Sequence, residues 1–143
     1  MEKLSLDYIA GLIEGEDSFF WTYYKGNKAW VPGFTLRMHF RDKKLIERVG
    51  CTLGLSNPIY EYTNQGRHSA TLIVRDQESL IAKIMPAFRG RLHGYKKLQF
   101  EEWVKGFHEK LGTDQYLLDL FSSGEKKADF CKRYKTVIKK MKV

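Results

Sequence analysis

Sulfur is scarce in this chain: two cysteines in 143 residues, Cys51 and Cys131, are too few for a disulfide framework or a four-ligand zinc site. Both are expected as reduced thiols, with Cys51 packed in the core. No run of eighteen apolar residues occurs, and neither a basic-then-apolar leader nor a lipidation motif is present, so no membrane partner is expected. The expected location is intracellular, in cytoplasm, nucleoid or an organelle matrix. Acidic residues are also short, 17 against 25 Lys and Arg, and the resulting charge of +8 favours a polyanionic partner. No internal repeat is evident, and the length suits one compact domain over residues 1–143. Aromatics, by contrast, make up 14% of the chain, which argues against disorder.

Residues 9 to 17 read Ile-Ala-Gly-Leu-Ile-Glu-Gly-Glu-Asp, an apolar helix running into carboxylates. Gly11 and Gly15 share one helix face, where missing side chains let a second helix approach at backbone distance. Each glycine costs roughly 1 kcal/mol against alanine in a helix interior, so close packing or an unusual helix end must return that energy. Glu14 and Glu16 add negative charge at the helix C-terminus, already the negative end of the macrodipole. A bound cation would resolve the conflict.

Beyond this segment, strands and helices alternate. Ser18 to Lys25 is aromatic and β-branched and ends at Gly26-Asn27, a hairpin signal. Gly33 to Arg41 alternates Phe34, Leu36, Met38 and Phe40 with Thr35, Arg37, His39 and Arg41, giving one core face and one basic face. Asp42 suits the N-cap of a helix through Leu53, closed by Gly54. Ile59 to Thr63 and His68 to Arg75 form a second hairpin around Asn64-Gln65-Gly66. A helix from Asp76 to about Met85 should stop at Pro86. Trp103, Val104, Phe107 and Leu111 make the inner stripe of the next helix, and Asp114 to Phe121 a short one. Residues 125 to 143 hold eight Lys or Arg and two acids, +6 of the total, and Phe130, Tyr134, Val137, Ile138 and Met141 fall at helical spacing.

The nonapeptide resembles the signature of the LAGLIDADG homing endonucleases at Ala10, Gly11, Leu12 and Ile13, with Glu14 and Glu16 replacing two aspartates. Asp17 departs from the family's usual last glycine. The α-β-β-α-β-β-α order over a core at residues 5–111 resembles the same family. The implied fold is α+β, with a curved four-stranded antiparallel sheet and a C-terminal helical extension at 113–143. One copy of the motif implies a homodimer, packed through Ala10, Gly11, Ile13 and Gly15 across a two-fold axis.

The resemblance further implies a site-specific double-strand DNA endonuclease, of the intron-encoded kind, acting on a long near-palindromic target. The Glu16 carboxylates and Gly15 carbonyls would hold Mg²⁺, or another divalent ion such as Mn²⁺. Lys96, in Gly94-Tyr95-Lys96-Lys97-Leu98-Gln99, resembles the family's active-site lysine, and Lys44 a second basic residue of the site. Phe40 departs, standing where many relatives carry a polar residue, often glutamine. DNA-reading positions on the sheet are Phe20, Thr22 and Tyr24 in the first strand and Arg37, His39 and Arg41 in the second. In the second hairpin they are Arg67, Ser69, Thr71 and Arg75. The side taken by Tyr60, Glu61 and Tyr62 stays open. The alternatives are an RNA-binding intron maturase, whose partner is intron RNA, and a non-cleaving DNA-binding regulator.

Overall fold

A computed structural model describes residues 2–15 and 18–120. The first helix begins where Ser5 turns its hydroxyl to accept the Tyr8 N–H at 3.1 Å, satisfying one of the orphan donors that open a helix. Helix α1 (Leu6–Ile13) buries Ile9, Ala10 and Ile13 and exposes Tyr8 and Gly11, while Gly15 is exposed in the turn beyond it. Strands β1 (Phe19–Tyr24) and β2 (Ala29–His39) form a hairpin, and a 3₁₀ turn (Phe40–Asp42) leads into α2 (Lys43–Leu53). Asp42 holds the N-cap position of α2 without a capping bond from its side chain, whereas Gly54 closes the helix at φ 73°, a conformation that glycine adopts without a Cβ penalty. Cys51, expected in the core, is exposed; α2 buries Ile46, Val49, Gly50 and Leu53, and position 51 falls on the opposite side at helical spacing.

Strands β3 (Ile59–Asn64) and β4 (Arg67–Val74) meet in a two-residue turn whose central residues, Gln65 and Gly66, both have positive φ, 50° and 78°. That geometry matches the twist of the flanking strands. Asp76 then caps α3 (Gln77–Ser79) by accepting the Ser79 N–H at 2.9 Å. The helical path does not stop at Pro86. It passes through a π turn (Leu80–Ile84) into α4 (Met85–Phe88), because the wider turn upstream accommodates the ring and the first turn of α4 needs no N–H from a proline. Helices α5 (Gly94–Leu111) and α6 (Gln115–Leu120) complete the described chain. Among the described residues no helix is long and apolar enough to cross a membrane.

The sheet is antiparallel in the order β1-β2-β4-β3. Phe34 and Leu36 of β2 pair with Val74 and Leu72 of β4 and form the floor of a core roofed by Ile9, Ile13, Ile46, Leu80, Ile81, Phe88 and Phe107. The intervening side chains point to an open face. Two indoles lace β1 to α5: Trp21 donates to the Trp103 carbonyl at 3.2 Å, and Trp103 donates to the Phe20 carbonyl at 3.1 Å. Gly106 makes this approach possible, since a Cβ there would stand 2.5 Å from Trp21 Nε1.

Candidate functional site

The end of α1 is fastened to the start of α5. Glu14 Oε1 accepts the His93 N–H at 2.6 Å, placing a carboxylate at a helix N-terminus, where orphan amides and the macrodipole favour negative charge. Glu14 is therefore a tether between remote segments. Lys96 lies in the first turn beyond this tether and is only 5% exposed; an ammonium so enclosed requires compensating negative charge or hydrogen bonds. Lys97 beside it is exposed, as is Lys44 in the first turn of α2, and no described contact joins Lys44 to Lys96. Gly15 is exposed, while Glu16 and Asp17 lie outside the described residues, as do Cys131 and the basic segment 125–143. Among the described residues no group of three His, Cys, Asp or Glu side chains is placed to hold a metal.

Phe40 is packed rather than presented. Its ring stacks on His68 with centroids 3.9 Å apart and planes 7° from parallel, and Lys43 Nζ stands 6.0 Å from its centroid. Lys43 also bonds Glu61 at 2.6 Å, which lifts the ammonium above its ordinary range and holds the carboxylate below.

The sheet register settles which side chains share the open face. Antiparallel partners point the same way, so Phe20 goes with Gly33, Thr22 with Val31 and Tyr24 with Ala29. The far end of the Phe20 ring occupies the space that a Cβ at Gly33 would need. Across β2, β4 and β3 run two rows: Arg37, Thr71, Tyr60 and His39, Ser69, Tyr62. Tyr60 and Tyr62, which alternation alone left unplaced, thus belong to this face, and Glu61 to the other. Arg67 and Arg75 are exposed, with Arg75 Nη1 3.5 Å from the Tyr24 hydroxyl. His39 Nδ1 accepts the Arg41 N–H at 3.1 Å, which assigns the proton of the neutral ring to Nε2 and presents it as a donor.

Three sequence assignments change here. Ser69 and Thr71, expected to contact a ligand directly, are each only 6% exposed, each paired across the sheet with larger residues on both sides. Arg41 falls beyond β2, on the 3₁₀ turn, where strand alternation no longer sets its direction. Ala10 and Ile13, expected on the packing face of α1, are turned into the chain's own core, 1% and 0% exposed. The open side of α1 is instead Tyr8 and Gly11, with Gly15 in the turn beyond, and a Cβ on either glycine would meet nothing within 4 Å.

The family model of the LAGLIDADG endonucleases matches residues 9–107. The solved structures similar to this chain include that of I-GzeII, a LAGLIDADG homing endonuclease in complex with its DNA target. It shows 23% identity and a TM-score of 0.66, with 88% of this chain and 46% of that one covered. The homing endonuclease I-TnaI is similar at 18% identity and a TM-score of 0.62, with 96% and 99% covered. The I-LtrWI LAGLIDADG homing endonuclease, bound to target DNA, is similar at 25% identity and a TM-score of 0.57, with 88% and 47% covered. The chain thus spans nearly all of I-TnaI but under half the length of I-GzeII and I-LtrWI. Among curated proteins, none matches.

Proposed function

The chain belongs to the LAGLIDADG endonuclease family, and on that premise we propose that it is a homodimeric, site-specific double-strand DNA endonuclease of the intron-encoded kind. The observation that carries the reading is the Glu14–His93 bond. It holds the acidic end of α1 against the start of α5, so that the chain leading to Glu16 and the enclosed Lys96 depart from one junction. Two such junctions, one per copy, give two cuts in a near-palindromic duplex. The dimer reading draws support from the glycine side of α1, open in the single chain, and from relatives about twice as long.

The donor set suits a hard divalent cation: the Gly15 carbonyl and Glu16 carboxylate are oxygen ligands of the kind magnesium or manganese takes. Such an ion, when bound, lowers the pKa of water and offsets charge on the phosphoryl oxygens. The chain's own contribution is positioning. Glu14 fixes the helix end, Lys96 brings a positive charge toward charge building on phosphate, and exposed Lys44 is free to meet a backbone phosphate. The open face meets the major groove, with Arg37 able to pair bidentately with guanine. Phe20, Thr22, Tyr24, His39, Arg67 and Arg75 stand with it, joined by Tyr60 and Tyr62.

The test is selection of bound and cleaved sites from a randomised duplex library, using wild type and Glu16→Gln with and without Mg²⁺. Wild type should cut a defined site, and Glu16→Gln should bind that site without cutting. Wild-type binding without cleavage in any divalent metal would overturn the nuclease reading in favour of a DNA-binding regulator. Tight binding of intron RNA alone would point to a maturase.

A further inference from the structure

The β3–β4 hairpin outruns the strand beside it. The last residues matched between β2 and β4 are His39 and Ser69, whereas β3 and β4 stay paired two steps further, Thr63 with His68 and Asn64 with Arg67. A two-stranded ribbon is marginally stable by itself, and β3 is the edge of the sheet. Side chains on the helix side stand in for the missing third strand. Where β2 turns away, the Phe40 ring lies parallel to the His68 imidazole. His68 Nε2 stands 3.9 Å from Glu61 Oε2, and Glu61 is bonded to Lys43 in the first turn of α2. The 3₁₀ turn, α2, β3 and β4 thus meet in one cluster behind the ribbon, and His68 serves it with its face and its edge at once. Arg67, the next residue along β4, alternates to the open face and is exposed.

We propose that Phe40 and His68 are positioning residues for target discrimination: their stack sets the inclination of the ribbon, and with it the reach of Arg67 toward the base pairs under the hairpin end. The proposal rests on the reading that the open face takes duplex DNA, and neither residue touches the DNA itself. It gives position 40 a task that suits an aromatic ring and not a polar chain, since stacking needs a second flat ring. A ribbon held in place meets the duplex with little left to order on binding. A released ribbon keeps the charge of Arg67 near the phosphates but loses the fixed geometry that tells one base pair from another.

The experiment measures binding to every single-base-pair variant of the selected target, the cleavage rate at saturating protein and thermal melting, for wild type, Arg67→Ala, His68→Ala, His68→Phe and Phe40→Gln. Arg67→Ala marks the base pairs that the ribbon reads. His68→Ala and Phe40→Gln should lose roughly tenfold of the preference at those same base pairs, with the others unchanged, and His68→Phe, which keeps a ring on Phe40, should retain it. Phe40→Gln should cut no faster than wild type. A loss spread evenly over all positions in step with a lower melting temperature would reduce the stack to a stability contact and overturn the proposal. So would a wild-type profile in His68→Ala, an Arg67→Ala variant that leaves every position as it was, or faster cutting by Phe40→Gln. Failure of the underlying reading is distinct: wild type would bind target and random duplex alike.

Discussion

At the residue scale the most consequential contacts are made by carboxylates at helix N-termini. Removing the Glu14 side chain leaves the His93 amide without its charged partner, and Glu14→Ala is expected to cost about 1.5–3 kcal/mol in urea unfolding. Asp76 offers a pH-dependent counterpart. Burial raises its pKa, but bonds from Ser79 and Asn57 outweigh that and hold the carboxyl below its ordinary 3.8. A depressed carboxylate stabilises the fold above its unfolded-state value and loses that contribution as pH falls through the folded value. Asp76→Ala should therefore cost about 1 kcal/mol at pH 7, and melts repeated below about pH 4 should show wild type converging on the variant. The part played by Glu14 was not legible in the nonapeptide: its partner is 79 positions away.

At the element scale the indole lacing of β1 to α5 sets the sharpest steric limit. Gly106→Ala would drive a methyl into Trp21, whose indole also packs edge-on against Phe107 with ring centroids 5.0 Å apart. A loss of about 1–3 kcal/mol is expected in the unfolding midpoint. The hairpins and the alternation of β2 could be read from sequence because turn residues and a period of two are local signals. Pro86 was misread because the five-residue π turn just upstream, Leu80–Ile84, has no local signature. The burial of Ser69 and Thr71, and the side taken by Tyr60 and Tyr62, depended on which residues lie opposite across the sheet, and pairing register is a property of two strands.

At the scale of the whole molecule, the motif disclosed a helix with Gly11 on its open side, but neither that the helix ends at Ile13, before Gly15, nor which of its other residues the chain keeps for itself. Ala10 and Ile13 went inward because α1 must cover its own sheet before it can meet anything else. The glycine side then gives a two-edged prediction. Gly11→Ala has open space in the single chain and should stabilise it by roughly 0.5–1 kcal/mol. If two copies pack there at backbone contact, sedimentation of the variant should shift toward monomer and cleavage should fall together with it. The Glu14–His93 bond has a consequence of its own for biosynthesis. A ribosome adding roughly 5–20 residues per second releases α1 on the order of 4–16 s before the amide that anchors it exists. A chain interrupted before position 93 lacks the amide that Glu14 bonds, so truncated products are born without this junction.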